Sequence, residues 1–417
     1  MLDVNLIREN PEKVKEGIAL KHADPKLVDK FLRFDEEWRG KTAALDQLKR
    51  EQNILNKEIG ASAKKEDLLG KAQILKKRLA EITEELNTVA KKRDDILNRL
   101  PNLPFDDVPH GKDEEENKVV SEVGERPKFN FTPKDSLSIG EDLGLIDVKR
   151  AADISGSRFG YLMREGVLME FALGRLVFDT VLKRGFVPVL PPVMIKPDVY
   201  EGIGRLAADQ RDDRFYLEKD DLFLVGSAEH TLAPLHMNEV LKEEELPRRY
   251  VGFSTCFRRE AGSYGKDTKG ILRVHQFDKY EFFSFTTPDR SEKEIHFLLG
   301  IQEELMQALK LPYRVVEICT GDMGWTDARQ FDVEAWFPSE EKYRETHSCS
   351  NTTDFQMRGI NTKYKNKKGE KQFVHALNAT GFSQRPILAI LENYQTKKGT
   401  VKIPEALQKY IGKEEIK

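Results

Sequence analysis

Two apolar seams on either side of a short polar turn constrain this chain more than any other feature of it. In the first, Leu27, Phe31, Phe34, Trp38, Leu45, Leu48, Leu55 and Ile59 recur at alternating steps of four and three residues, with Lys41 and Gln52 as polar members. After GASAKKED, the second runs Leu68, Ala72, Leu75, Leu79, Ile82, Leu86, Val89, Ile96 and Leu100, interrupted by Arg93. A stripe this narrow is hidden only against another helix, so the pattern predicts an antiparallel two-helix coiled coil. Each arm of about 35 residues spans about 50 Å. Such a hairpin is too slender to enclose a pocket, and its outer faces meet only solvent or a partner.

Charge narrows the choice of partner. The 417-residue chain carries 68 Lys and Arg against 71 Asp and Glu, a net charge of −3, which argues against a generally basic nucleic-acid protein. Residues 26–100 alone carry 18 basic against 14 acidic side chains, so the arm is +4 on a remainder of −7. A basic arm suits a long polyanion, while Lys and Glu also fill ordinary solvated coiled-coil faces; charge alone leaves both readings open. The opening MLDVNLIRENPEKVKEG has no apolar core of a signal peptide, and no apolar run reaches the length of a membrane span. Cys256, Cys319 and Cys349 form no C-x-x-C pair and no zinc spacing, so they read as buried small hydrophobes in a reducing, cytosolic protein.

Length favours two domains. The segment RENPEK reads as a helix start, with Asn10 as cap, Pro11 at the first helical position and Glu12 near the positive end of the dipole. PNLPFDDVPHGKDEEENK, residues 101–118, ends the second arm and reads as a linker, giving an N-terminal domain over 1–105 and a second over 106–417. Beyond it, SLSIGEDLGLID and REGVLMEFALGRLVFDTVLKR read as helices. GFVPVLPPVMI, DLFLV, RYVGFSTCFRRE, ILRVHQFDKYEFFSF, YRVVEICTG and QFDVEAWFP read as strands. Strands that follow one another without intervening helices predict an α+β domain, an antiparallel sheet flanked by helices.

Two of these strands carry charge where burial is expected. Residues two apart share a face, so Arg258 goes with Glu260, and Phe277 with Lys279 and Glu281. Between them, AGSYGKDTKG reads as a mobile basic loop able to close over an anion. Such a face is costly to bury without partners for its charges. Either a ligand supplies them, or the face is wet and laced with cross-strand ion pairs.

FRREAGSYGKDTKGILRVHQFDKYE resembles motif 2 of the class II aminoacyl-tRNA synthetases, in the form found in seryl-tRNA synthetases. MLDVNLIRENPEKVKE, PNLPFDDVPHGKDEEEN, GFVPVLPP (similar to motif 1), CTGDMG, ETHSCSNTTDFQMRG and ALNATGFSQRPILAILENYQ (similar to motif 3) occur in the family's order, so the resemblance covers nearly the whole chain. It implies a serine–tRNA ligase that activates serine with ATP and transfers it to tRNA(Ser), and also to tRNA(Sec). Arg258 would hold the α-phosphate beside the serine carboxylate, and Arg385 the far end of the triphosphate; these are the two catalytic assignments. Arg259 and Glu260 would complete the motif 2 contacts to ATP, Glu260 at the adenine amine, with Phe277 stacked on the ring. In ETHS, Glu345, Thr346, His347 and Ser348 would lie against ATP, with Glu345 and Ser348 holding Mg²⁺ and His347 taking no catalytic part. Serine would be held by Ser227, Ala228, Glu229, Glu281, Asn378 and Thr380. The arm would lie on the tRNA, reading shape more than sequence, and motif 1 would form a homodimer interface.

The chain departs from the family pattern at four places. Ser227 replaces the usual threonine, Arg205 stands where glutamine is common, and His347 where serine is common. The motif 3 match is one residue short between Asn378 and Arg385, with FSQ in place of glycines. Two rival readings keep most of the fold: a ligase that loads a carrier protein, which would lack the arm, and a non-catalytic scaffold, which would have lost Arg258, Glu260, Glu345 or Arg385.

Overall fold

The computed structural model describes residues 1–61, 66–206, 210–260 and 270–417. The centre of the polar turn between the arms and nearly all of the basic loop after Glu260 lie outside the described residues. The chain divides into two compact units, Leu2–Pro101 and Asn102–Lys417, with Met1 counted in the second.

The first unit is helical: α1 (Val4–Glu9), α2 (Pro11–Ala19), α3 (Lys26–Ala61) and α4 (Glu66–Leu97). Asn10 precedes α2 as expected, but its side chain makes no cap bond; its backbone N–H instead bonds Leu6 O, closing α1. Along α3 and α4 the seam residues are buried or half-buried, while the positions between them are largely exposed. The pairing is antiparallel: Lys41 meets Glu85 at 2.6 Å, and nearer the base Asp35 meets Arg93 at 2.8 Å. Arg93, the residue that interrupts the second seam, is thus the partner of a buried acid. Asp35 also accepts from Arg8 Nε and Nη2, each at 2.8 Å, and Arg93 stacks over Phe31 and Trp38.

The second unit is built on an eight-stranded sheet. In chain order its strands are β1 (Lys118–Val123), β2 (Val187–Val189), β3 (Arg248–Phe257), β4 (Gln276–Thr286), β5 (Tyr313–Glu317), β6 (Arg329–Phe337), β7 (Lys342–Asn351) and β8 (His375–Ser383). They lie side by side as β1-β5-β6-β7-β8-β4-β3-β2. Every neighbouring pair is antiparallel except β2 with β3. β1 continues directly from the segment read as a linker and edges the sheet. β7 and β8 were not legible as strands, because their site-facing positions are polar.

Strand alternation gives the sheet two unlike faces. On one, Tyr280 and Phe282 of β4, Val333 of β6 and Ala379 of β8 join a core closed by α5 (Glu165–Val181), α6 (Ser291–Ala308) and α7 (Arg385–Asn393). Gly174 in α5 is required there: a Cβ would fall 1.9 Å from the Tyr280 hydroxyl. On the other face, Phe283 and Phe285 anchor a smaller core with Tyr200, Phe223 and Tyr364, while the same strand's Phe277, Lys279 and Glu281 occupy its polar half. Gln302 of α6 ties the middle together, donating to the carbonyls of Ser348 and Thr380 at 2.8 and 2.9 Å.

Candidate active site

The polar half of the sheet opens into two adjoining cavities whose shared wall is Arg258, Lys279 and Ser348. The first is lined also by Glu260, Arg273, Val274, Phe277, Glu345, Thr346, Thr380 and Arg385. The second is lined also by Arg205, Asp213, Arg214, Ser227, Glu229, His230, Asp327, Ser350 and Asn378.

Arg258 and Glu260 lie just past the end of β3 rather than on it, because ladder pairing stops at Phe257 with Gln276. The Arg258 N–H donates to His275 O at 3.0 Å, its Nε to Gly226 O at 3.1 Å, and its guanidinium stands 5.3 Å from the Phe277 ring centroid. It has no carboxylate partner among the described residues, so its outer donors are available to an anion. Glu260 adopts φ 54°, a left-handed conformation unusual for a residue with a Cβ, and accepts from Arg273 at 2.7 Å.

Between Glu345 and His347 the pairing of β7 with β6 slips by one residue, leaving Thr346 as a bulge. The bulge re-aims the strand so that Glu345, Thr346 and Ser348 all line the first cavity. Arg385, at the first position of α7, donates to Glu345 Oε2 at 2.9 Å and to the Glu345 carbonyl at 3.0 Å. That guanidinium holds the Glu345 carboxyl below the ordinary glutamate range against the effect of burial. Asp332 on β6 moves the other way, pushed up by burial and by Glu345.

Across the second cavity, Glu229 is gripped from two sides. Its Oε1 accepts from Arg205 Nε at 3.0 Å, from Arg205 Nη2 at 2.8 Å and from Gln356 Nε2 at 2.8 Å; among the described residues its Oε2 accepts only from Arg205 Nη2, at 3.1 Å. The Ser227 hydroxyl accepts from the Glu229 N–H at 3.2 Å, so it shapes the turn that presents the acid. His230 Nδ1 accepts from the Gly226 N–H at 3.1 Å and lies 2.8 Å from the Tyr200 hydroxyl, which leaves the ring proton on Nε2. Burial, then Arg214 and Arg205, push this imidazole well below its usual range, so it is neutral. On the sheet, Lys279 Nζ stands 2.7 Å from Glu281 Oε2. Among the described residues the Glu281 oxygens take part in this ion pair but in no hydrogen bond, and the buried Asn378 Nδ2 has no acceptor. Burial raises the Glu281 pKa, and Lys279 offsets part of the rise.

Of the residues singled out in the sequence, Arg258, Glu260, Phe277, Glu345, Thr346, Ser348, Thr380 and Arg385 meet at the first cavity, and Ser227, Glu229 and Asn378 at the second. Four do not line either cavity. His347 points to the core side of β7, its ring 5.4 Å from that of Phe382, with Nδ1 on the Thr346 hydroxyl; burial lowers its pKa to about 3. Ala228 packs in the smaller apolar core. Arg259 turns away, donating to Arg214 O at 2.9 Å and stacking over Phe215. Glu281 sits fully buried beside Lys279. Arg205, Asp327, Gln356, Arg273 and Val274 escaped the sequence reading as site residues. Only Arg205 had given a signal, as a departure from the family pattern.

Two family models match the chain: the seryl-tRNA synthetase N-terminal domain over residues 1–104, and the class II tRNA synthetase core domain (G, H, P, S and T) over residues 214–394. The serine–tRNA ligase of Dictyoglomus turgidum is 42% identical, over 100% of this chain and 99% of its own. The crystal structure of seryl-tRNA synthetase from Pyrococcus horikoshii complexed with ATP superposes with a TM-score of 0.91 at 41% identity, covering 100% of this chain and 99% of that one. The cytoplasmic serine–tRNA ligase of Naegleria fowleri in complex with AMP gives 0.86 at 34% identity, over 100% and 99%.

Proposed function

This chain belongs to the seryl-tRNA synthetase family and is an ATP-dependent serine–tRNA ligase, and from that premise we propose how its residues divide the work. The serine carboxylate must reach the α-phosphate of ATP, which brings two anions together, so the site works mainly by positioning and charge neutralisation. Arg258 bridges the α-phosphate and the carboxylate; its forked donors suit two oxyanions better than an ammonium would. Phe277 carries the adenine ring, and Glu260, steadied by Arg273, accepts from the adenine amine. Arg385 meets the outer phosphates. In the adjoining cavity Glu229 takes the serine ammonium, with Ser227, Asn378 and Thr380 around the side chain. Rejection of alanine follows from buried polar groups left unpaired when the hydroxyl is missing.

Glu345 and Ser348 present hard oxygen ligands on one strand, beside an acid, Asp332, that is pushed toward its neutral form. That donor set fits Mg²⁺, with the phosphates supplying further ligands. When bound, the ion neutralises triphosphate charge.

The arm, α3 and α4, is proposed to carry the tRNA, as its local charge of +4 on an acidic chain favours. We propose domain limits of 1–105 and 106–417, a few residues beyond the division into compact units after Pro101. The acceptor reading extends to tRNA(Sec). The exposed apolar side chains Leu168 and Phe171 on α5, and Val187 and Leu190 in and after β2, suit the interface of a homodimer. Three unpaired buried cysteines suit a cytoplasmic location, and no described helix is long and apolar enough to cross a membrane.

The observation that carries the division of labour is the convergence of Arg258, Glu345 and Arg385 on one cavity, with Glu229 in the next. ATP–pyrophosphate exchange across the twenty amino acids, on the whole chain and on a chain lacking residues 30–95, tests it. Serine alone should drive exchange in both, and only the whole chain should charge tRNA. Loss of exchange and charging together on removing the arm would contradict it.

A further inference from the structure

We infer that Arg205 is a positioning residue for the amino-acid substrate: it orients the Glu229 carboxylate and sets the net charge that the serine cavity offers. The inference rests on the reading of Glu229 as the ammonium site. Two observations lead to it.

The first is geometric. The Arg205 fork and Gln356 place three donors on Glu229 Oε1 and one on Oε2. Oε1 is saturated, and Oε2 keeps accepting capacity toward the cavity that both Glu229 and Arg205 line. Gln356 also donates to Ile203 O at 3.3 Å, tying the chain before Arg205 to the same acid. A planar bidentate pair fixes the plane of the carboxylate in a way a single ammonium or amide contact does not.

The second is a balance of charge. Around the cavity, Arg214 is paired with Asp213 at 2.7 Å and Lys279 with Glu281 at 2.7 Å. Arg205 faces two carboxylates, Glu229 at 2.8 Å and Asp327 at 3.8 Å. With those internal pairs set aside, the described residues leave one cation at Arg258 and one negative charge at the Glu229–Asp327 pair. That is the complement of a zwitterion, with one anionic and one cationic end. Without Arg205, the two buried acids would lose the cation they share, so one would take up a proton and Glu229 would lose its fixed orientation.

The test is serine-dependent ATP–pyrophosphate exchange with Arg205→Gln, Arg205→Lys and Glu229→Gln, measuring KM for serine and for ATP in each. Arg205→Gln should raise the serine KM about tenfold or more, the scale of one buried polar partner lost, with the ATP KM unchanged. Arg205→Lys, which keeps the charge without the fork, should fall between parent and Arg205→Gln, and it carries the same test if the glutamine variant fails to fold. A serine KM within about twofold of the parent in both arginine variants, less than the cost of any buried hydrogen bond, would overturn the inference. So would equal rises in the two KM values, since general loosening of the fold moves both. Glu229→Gln separates the two levels: if it leaves the serine KM unmoved, the ammonium site itself is misplaced; if it raises the serine KM while the arginine variants do not, only the role of Arg205 falls.

Discussion

Lys279 and Glu281 are neighbours on the site face of β4, with side chains 10% and 1% exposed. Two charges removed this far from water hold only while paired, and removing one of a buried pair costs about 3 kcal/mol. Lys279→Met should therefore lower stability by about that amount. The loss should also depend on pH, and its sign is fixed. Burial already raises the Glu281 pKa above 4.5, and without the ammonium it rises further, so the folded chain holds a proton that the unfolded chain has released. Stability of the variant then falls as pH climbs from 4.5 toward neutrality; thermal melts at pH 5 and pH 8 check this, and a variant equally stable at both would contradict the buried pairing. This is also where the sequence spoke most plainly. Glu, Lys and Phe at alternate positions of an apolar run signalled a charged face, whereas Asp327 and Gln356 lie in segments whose local pattern gives no sign that folding carries them to Glu229.

Among the elements, the arm was the most legible, because heptads state both which residues meet and in what period. What periodicity could not state was the purpose of its interruption. Arg93 breaks the seam only to reach Asp35, which is fully buried and also held by Arg8. Burial works against the Asp35 charge, but Arg8 and Arg93 outweigh it and hold the carboxyl below its usual range. Its stabilisation is therefore complete at neutral pH and disappears as pH falls below 3.8. Asp35→Ala should destabilise the helical unit by roughly 2 kcal/mol, with exposed parts of the arginines limiting the cost, and should impair tRNA charging while serine-dependent exchange stays near the parent rate. Equal losses in both assays would show that the arm does not act on the tRNA step alone. In the sheet, β7 and β8 were missed because their alternate residues face the cavities and are polar, so the apolar half-pattern of a strand is diluted. The bulge at Thr346 is equally silent in the sequence, yet it turns Glu345 toward Arg385.

At the scale of the molecule, the order of segments carried the reading further than any one of them. A basic hairpin, a charged strand pair, ETHS and a helix opening with Arg385 each have an ordinary structural explanation alone. The fold brings the last three together on one sheet face and leaves the hairpin as a separate compact unit. Most charges of that face pair within it, Lys279 with Glu281, Arg273 with Glu260 and Arg385 with Glu345, and among the described residues Arg258 is the cation left for an incoming anion. The most direct measurement is a crystal structure with a non-hydrolysable seryl-adenylate analogue. The account predicts the phosphate on Arg258, the adenine over Phe277 and the ammonium on Glu229 Oε2, with Arg205 still gripping Oε1. An analogue bound elsewhere, with Arg258 turned onto a carboxylate of the protein's own, would contradict it.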